Sequence, residues 1–283
     1  MSSALIVARY ALQEAVRRRV ILVVLFLTVC FLALYGLGCA VTFDEVNSLA
    51  ADDQLDDRVL AGSTLLGLSM FTILFLGAVL AVFLTLGAVR GDAERGLLQP
   101  LVVRPVGRTS LLVGRFAGAA AVCALYVAVV YAVAVLITGI TGDWWPDRGL
   151  SAGLGLVVAV VVIAAISLFG SIFLSSTANG IAVFMLFGAG LAAGLLGQIG
   201  DALAVQTLKD VAKVSSWVLP FEALYQAGLH GLTADTSGIT GVIVQLGPFG
   251  GAQRAGGGLW IWTVLYLVLI GAAARAAFAR RDL

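Results

Sequence analysis

Six stretches of the chain, near residues 20–42, 62–89, 111–140, 151–174, 178–198 and 259–278, run apolar with almost no charge. A membrane-spanning helix needs roughly 20 such residues to cross about 30 Å of hydrocarbon. In lipid the backbone must satisfy its own polar groups, so a segment of this kind spans as a helix. The sequence therefore predicts an all-α polytopic membrane protein with six transmembrane helices. Composition agrees: 61% of residues are hydrophobic and 12% charged, against about 25% charged in a soluble domain. Only short loops and the segment 199–258 remain between the spans. One membrane domain, 1–283, is expected, with no room for a separate soluble catalytic unit.

Orientation follows from the tendency of Lys and Arg to stay cytoplasmic. With both termini inside, twelve of the seventeen basic residues fall on the cytoplasmic side, Arg9, Arg17, Arg95, Arg104, Arg115 and Arg275 among them. Arg58, Arg148, Lys209, Lys213 and Arg254 fall outside. The net charge of +1 gives no reason to invoke nucleic acid. Residues 3–19 place Arg9, Gln13 and Arg17 on one helical stripe and Leu5, Ile6, Leu12 and Val16 off it, which predicts an amphipathic helix on the inner membrane surface. Cys30, Cys39 and Cys123 all lie in spans and read as small apolar residues rather than a disulfide framework.

The span interiors offer hydroxyls such as Ser69, Thr72, Thr85, Ser167 and Ser171 in place of ionisable groups. Ion-coupled carriers and voltage sensors need charge there. In the fifth span Gly190, Ala193, Gly194 and Gly197 share a side, a spacing that lets two helices approach closely. Two uses fit it: a dimer axis, or packing within one chain. Beyond it, the outer segment 199–258 is expected to hold short helical elements. Residues 201–216 form one amphipathic helix, and WVLPFEALYQAGL, with Glu222 at its centre, forms a second that begins at its proline. The Gly-rich remainder reads as a loop. Trp144 and Trp145 fit an outer aromatic belt, and His230, the sole histidine, fits a solvated loop position. No metal site is expected of it.

The 283 residues contain no G-x-x-x-x-G-K-[ST] phosphate loop, so the chain itself is expected not to hydrolyse ATP. One histidine rules out a zincin H-E-x-x-H, and a serine protease would need that histidine at bilayer depth. No catalytic role is therefore assigned. The remaining polar feature is the cytoplasmic loop 90–115, RGDAERGLLQPLVVRPVGRTSLLVGR. Asp92 caps a short helix whose first turn holds Glu94, and Leu97, Leu98, Leu101 and Val102 form its apolar face. Pro105 then turns Arg104 out of the helical region, and Gly107 permits a tight reversal into the third span.

The pattern E-R-G-L-L-x-x-L-x-x-R-P-V-x-R-x-x-L-L-x-G-R, from Glu94 to Arg115, resembles the cytoplasmic loop of permease subunits in the type 2 family of ATP-binding cassette (ABC) transporters. The basic N-terminus, the six spans, the proline of WVLPFEALYQ and the RRDL ending extend the likeness over nearly the whole chain. Its layout is similar to that of the permease in the nitrous oxide reductase maturation system. One departure is Arg115, where lysine is commoner. The resemblance implies a coupling helix at Glu94, Arg95, Leu97, Leu98, Leu101, Arg104, Pro105 and Arg108 that enters a cleft of a cytoplasmic ATPase subunit. It implies a dimer of permeases, homomeric or heteromeric, with two ATPase subunits that bind ATP and Mg²⁺, in the cytoplasmic membrane of a bacterium. Export is the function it implies. A second reading is force transmission to an extracytoplasmic partner at 199–258, and a third is a secondary transporter, which the uncharged spans oppose.

Overall fold

The computed structural model describes residues 19–48, 56–86, 108–234, 236 and 256–280. Six long helices follow one another: α1 (Arg19–Ser48), α2 (Asp57–Thr85), α3 (Arg108–Gly142), α4 (Gly149–Phe173), α5 (Ser176–Ala202) and, after two short ones, α8 (Gly257–Ala279). The short ones are α6 (Gln206–Val218) and α7 (Pro220–His230). Among the described residues no strand occurs. All six predicted spans are present as helices long and apolar enough to cross a membrane. Even the shortest, α8 with 23 residues, reaches about 35 Å at 1.5 Å per residue. Residues 3–18 of the predicted surface helix 3–19 and the expected coupling residues Glu94, Arg95, Leu97, Leu98, Leu101, Arg104 and Pro105 lie outside the described residues.

The centre of the bundle is α2 against α4, with α3 closing one side. Leu66, Met70, Ile73 and Leu74 of α2 meet Leu156 and Ile163 of α4 in a core from which solvent is excluded. Gly77 makes the three-helix crossing possible, since a Cβ there would come within 2.8 Å of Val160 and 3.0 Å of Val127. Outward, α1 presents Leu22, Phe26, Val29, Leu34, Leu37 and Val41, all exposed. An apolar face of that extent is stable against hydrocarbon and not against water. On its inner side α1 is pinned to α3 by two hydroxyl pairs, Thr28 with Tyr126 at 2.6 Å and Tyr35 with Thr138 at 2.5 Å. Interhelical bonds of this kind contribute about 0.6 kcal/mol each on average.

Trp144 and Trp145 differ from each other. Trp145 is half exposed, in keeping with a belt position, but Trp144 is 7% exposed and lies in the notch left by Gly62 of α2. Its ring is a packing element: the α3–α4 turn folds it back onto the bundle. Cys39 and Cys123 are buried and Cys30 is exposed on α1, all three as free thiols.

Candidate functional site

The helices alternate in direction, so the starts of α2, α4 and α8 share one end of the bundle and the starts of α1, α3 and α5 share the other. Entering from the first of these ends, α6 and α7 form a hairpin that dips back along α5, α4 and α8, so that its turn meets the middle of α5 at Gly190 and the interior of α8 at Trp262 and Tyr266. Its geometry begins with Ala204, whose left-handed φ of 55° ends α5 and lets the Val205 N–H bond back to the Gly200 carbonyl at 2.9 Å. The chain reverses there, and α6 runs back along α5.

Small residues on α5 take the contact. A Cβ on Gly190 would reach within 2.5 Å of the Phe221 ring, one on Gly197 within 2.8 Å of Ala212, and one on Gly200 within 2.9 Å of Leu208. At Gly194 the space is filled by the Glu222 carboxyl, with the Gln226 amide 3.2 Å from where a Cβ would stand. Ala193 is buried on the same helix. The stripe of Gly190, Gly194 and Gly197 is thus occupied by α6 and α7 of its own chain. Phe221 also stacks on Phe187 of α5, with ring centroids 5.7 Å apart and planes at 14°.

On its other face α7 presses against α4. A Cβ on Gly155 would stand 2.9 Å from the Leu224 carbonyl, and one on Gly228 would stand 2.9 Å from Met70 Cε and 3.1 Å from the Ala152 carbonyl. Both ends of α7 are tied as well. At its start, Pro220 takes the first helical position, where a missing N–H costs nothing. The carbonyls of Trp217 and Val218, which end α6, accept bonds from Trp262 Nε1 at 3.0 Å and the Tyr266 hydroxyl at 2.7 Å, both on α8. At its end, the Gly231 and Leu232 carbonyls accept the N–H groups of Arg148 and Asp147 at 2.9 and 3.2 Å. A short helix held on two faces and at both ends moves with the bundle. His230 closes α7 and is half-buried there rather than in a loop.

Glu222 is the chemical oddity of the hairpin. It is 6% exposed, and Oε1 has no hydrogen-bond partner. Burial pushes its carboxyl up to about 7, with a smaller opposing effect from the Gln226 amide that bonds it. Gln226 Oε1 in turn accepts from Gln198 of α5 at 3.3 Å. Tyr225, beside it, is raised by burial and by the carboxylate. In contrast, α6 carries no buried residue. Lys209, Asp210 and Lys213 stand on its polar side, and Val211, Val214, Trp217 and Val218 are exposed apolar residues.

At the opposite end a second polar cluster joins three helices. The Thr85 and Ser167 hydroxyls are 2.6 Å apart, and Asn179 Nδ2 donates to the Ser167 carbonyl at 2.9 Å. Thr85 is the last residue of α2, just before the segment that begins at Arg90. Sequence reasoning identified the two hydroxyls but not Asn179. Its signal was a single amide at the head of an apolar run. Among the described residues no group of His, Cys, Asp or Glu is arranged to hold a metal ion.

Residues 5–283 match the family model described as ABC-2 family transporter protein. No curated protein matches the chain.

Proposed function

The chain belongs to the ABC-2 transporter family, and from that premise we propose that it is the membrane-spanning permease of an ATP-driven exporter. Members of this family are membrane subunits of transporters and partner an ABC ATPase subunit; this chain is accordingly a multi-pass membrane permease. In our reading both termini are cytoplasmic, the permease pairs with a second copy or a related chain in a bacterial cytoplasmic membrane, and two ATPase subunits supply ATP and Mg²⁺. The loop 90–115 is where the ATPase grips, through the apolar Leu97, Leu98 and Leu101 and the charges of Glu94, Arg95, Arg104 and Arg108, with Pro105 setting the angle. The observation that carries this is the family match itself, which extends from residue 5 to 283, a range that contains that loop. The finer likeness, to the permease of nitrous oxide reductase maturation, rests on sequence layout.

A second reading is favoured by one feature, the clamped α6–α7 hairpin with its exposed apolar residues. There the same ATP-driven motion would be delivered to an extracytoplasmic partner at 199–258 instead of to a solute. Both readings need the coupling loop. The test is to express Glu94→Lys and Leu98→Asp, confirm insertion and amount, and measure retention of the ATPase subunit and ATP turnover. Loss of both is expected; retention and turnover equal to the wild type would reduce the loop to a topology signal.

A further inference from the structure

At the end of the bundle opposite the hairpin, α3, α4 and α8 do not close on one another. Between them is a cavity of about 370 Å³, an order of magnitude more than the ~30 Å³ share of a water molecule. It is floored by Ala165 and Leu168 of α4 and walled by Val113 and Phe116 of α3 and by Leu267 and Gly271 of α8. A small core of its own surrounds it, in which Leu112, Leu168, Ile172, Ala274 and Phe278 are buried. The lining is apolar along its length and polar at one end only, where Thr109 and Arg275 stand. Thr109 lies in the first turn of α3, whose macrodipole turns its positive end the same way.

Among the described residues the charges around this mouth are of one sign. Every carboxylate among the described residues lies at the hairpin end, whereas Arg115, Arg275 and Arg280 stand at this end. Arg275 is exposed and pairs with no carboxylate among the described residues. A groove that is apolar inside, opens between membrane helices and ends at a cation matches one kind of molecule in shape and charge. We propose that this groove binds an anionic phospholipid, with one acyl chain between α3 and α8 and the phosphate against Arg275 and Thr109. The bound lipid lies against α8, the least enclosed of the six spans. The proposal rests on reading the six helices as spans, and on nothing about ATP coupling.

Native mass spectrometry of the full chain tests it, using nanodiscs of equal phosphatidylglycerol and phosphatidylcholine without ATPase or nucleotide. The wild type should retain one phospholipid through delipidation, with phosphatidylglycerol preferred on the order of fivefold, the scale of one basic side chain at an anionic surface. Arg275→Gln should keep a lipid and lose the preference. Gly271→Phe should lose the lipid, and it should fold, because a Cβ at Gly271 meets nothing within 4 Å. Val113→Trp closes the groove from α3 and serves if that variant does not accumulate. Equal retention of both lipids by the wild type, or unchanged retention by both groove-filling variants, overturns the proposal. So does a cross-link in membranes between Gly271→Cys and Leu5→Cys, which would put the chain's own N-terminal segment in the groove. Because the readout involves no ATPase, such a result leaves the coupling reading standing.

Discussion

The Glu222 carboxyl occupies the space that any side chain at Gly194 would need. One residue is on the hairpin and the other on the fifth span, so the pair fixes where α7 sits on α5. Overpacking a filled site costs typically 1–3 kcal/mol. Gly194→Ala should therefore lower the thermal midpoint of the purified protein, and Gly194→Leu should lower it more. Glu222→Ala in the same chain should recover part of the loss, since it vacates the contested volume. Strictly additive effects in that double-mutant cycle would mean the two residues are not coupled.

The same carboxyl gives the protein a pH dependence. Its folded value of about 7 lies above the ordinary carboxyl value of 4.5, so between those pH values the folded state holds a proton that the unfolded state has released. Stability is then greatest at low pH and falls as pH rises through about 7. The full difference is on the order of 3 kcal/mol. Thermal midpoints measured from pH 5 to pH 8 should decline in the wild type and stay flatter in Glu222→Gln. If the two slopes coincide, the carboxyl is ionised throughout.

How much of this was legible in the sequence divides by the kind of signal. The six spans were, because hydropathy over twenty residues reports directly on what solvent a helix tolerates. The turn at Pro220 was too, because proline's missing N–H has a preferred place. The glycines of α5 announced a close contact without naming its partner; Phe221, Glu222 and Ala212 come from α6 and α7, and only the reversal at Ala204 brings them there. Trp144 and Trp145 are adjacent and chemically identical, yet one is core and one is surface. Which ring turned inward depended on the notch at Gly62, some eighty positions away in sequence.

The α8 clamp predicts a local effect. Trp262 and Tyr266 satisfy the Trp217 and Val218 carbonyls at the end of α6, and one such bond contributes about 0.5–1.5 kcal/mol net. Trp262→Phe with Tyr266→Phe should raise amide hydrogen exchange in 206–218 several-fold while leaving α2 and α4 protected. Unchanged exchange in α6 would show that the hairpin is held by α5 and α4 alone.

The last prediction concerns transmission from the loop 90–115 in its proposed coupling role, and it begins at Thr85. This residue closes α2, is buried, and sets its hydroxyl 2.6 Å from that of Ser167 on α4. Ser167 in turn accepts through its carbonyl from Asn179 at the head of α5. Three helices are joined within a turn of the place where the chain leaves for the loop at Arg90. α5 then runs on to the Gly194–Glu222 contact with the hairpin. In the proposed coupling role, a push on the loop would have a continuous bonded and packed route to the hairpin. Thr85→Val keeps the shape and removes the hydroxyl, and Asn179→Ala removes the amide; within a membrane bundle each bond is worth about 0.6–1.7 kcal/mol. Losses of that size should leave folding and ATPase retention near wild type. ATP turnover by the assembled complex should nevertheless fall by severalfold in Asn179→Ala and in Thr85→Val, with no further loss when the two are combined, because they interrupt one route. Normal turnover in both single variants would make the cluster a packing feature of α2, α4 and α5 with no part in coupling.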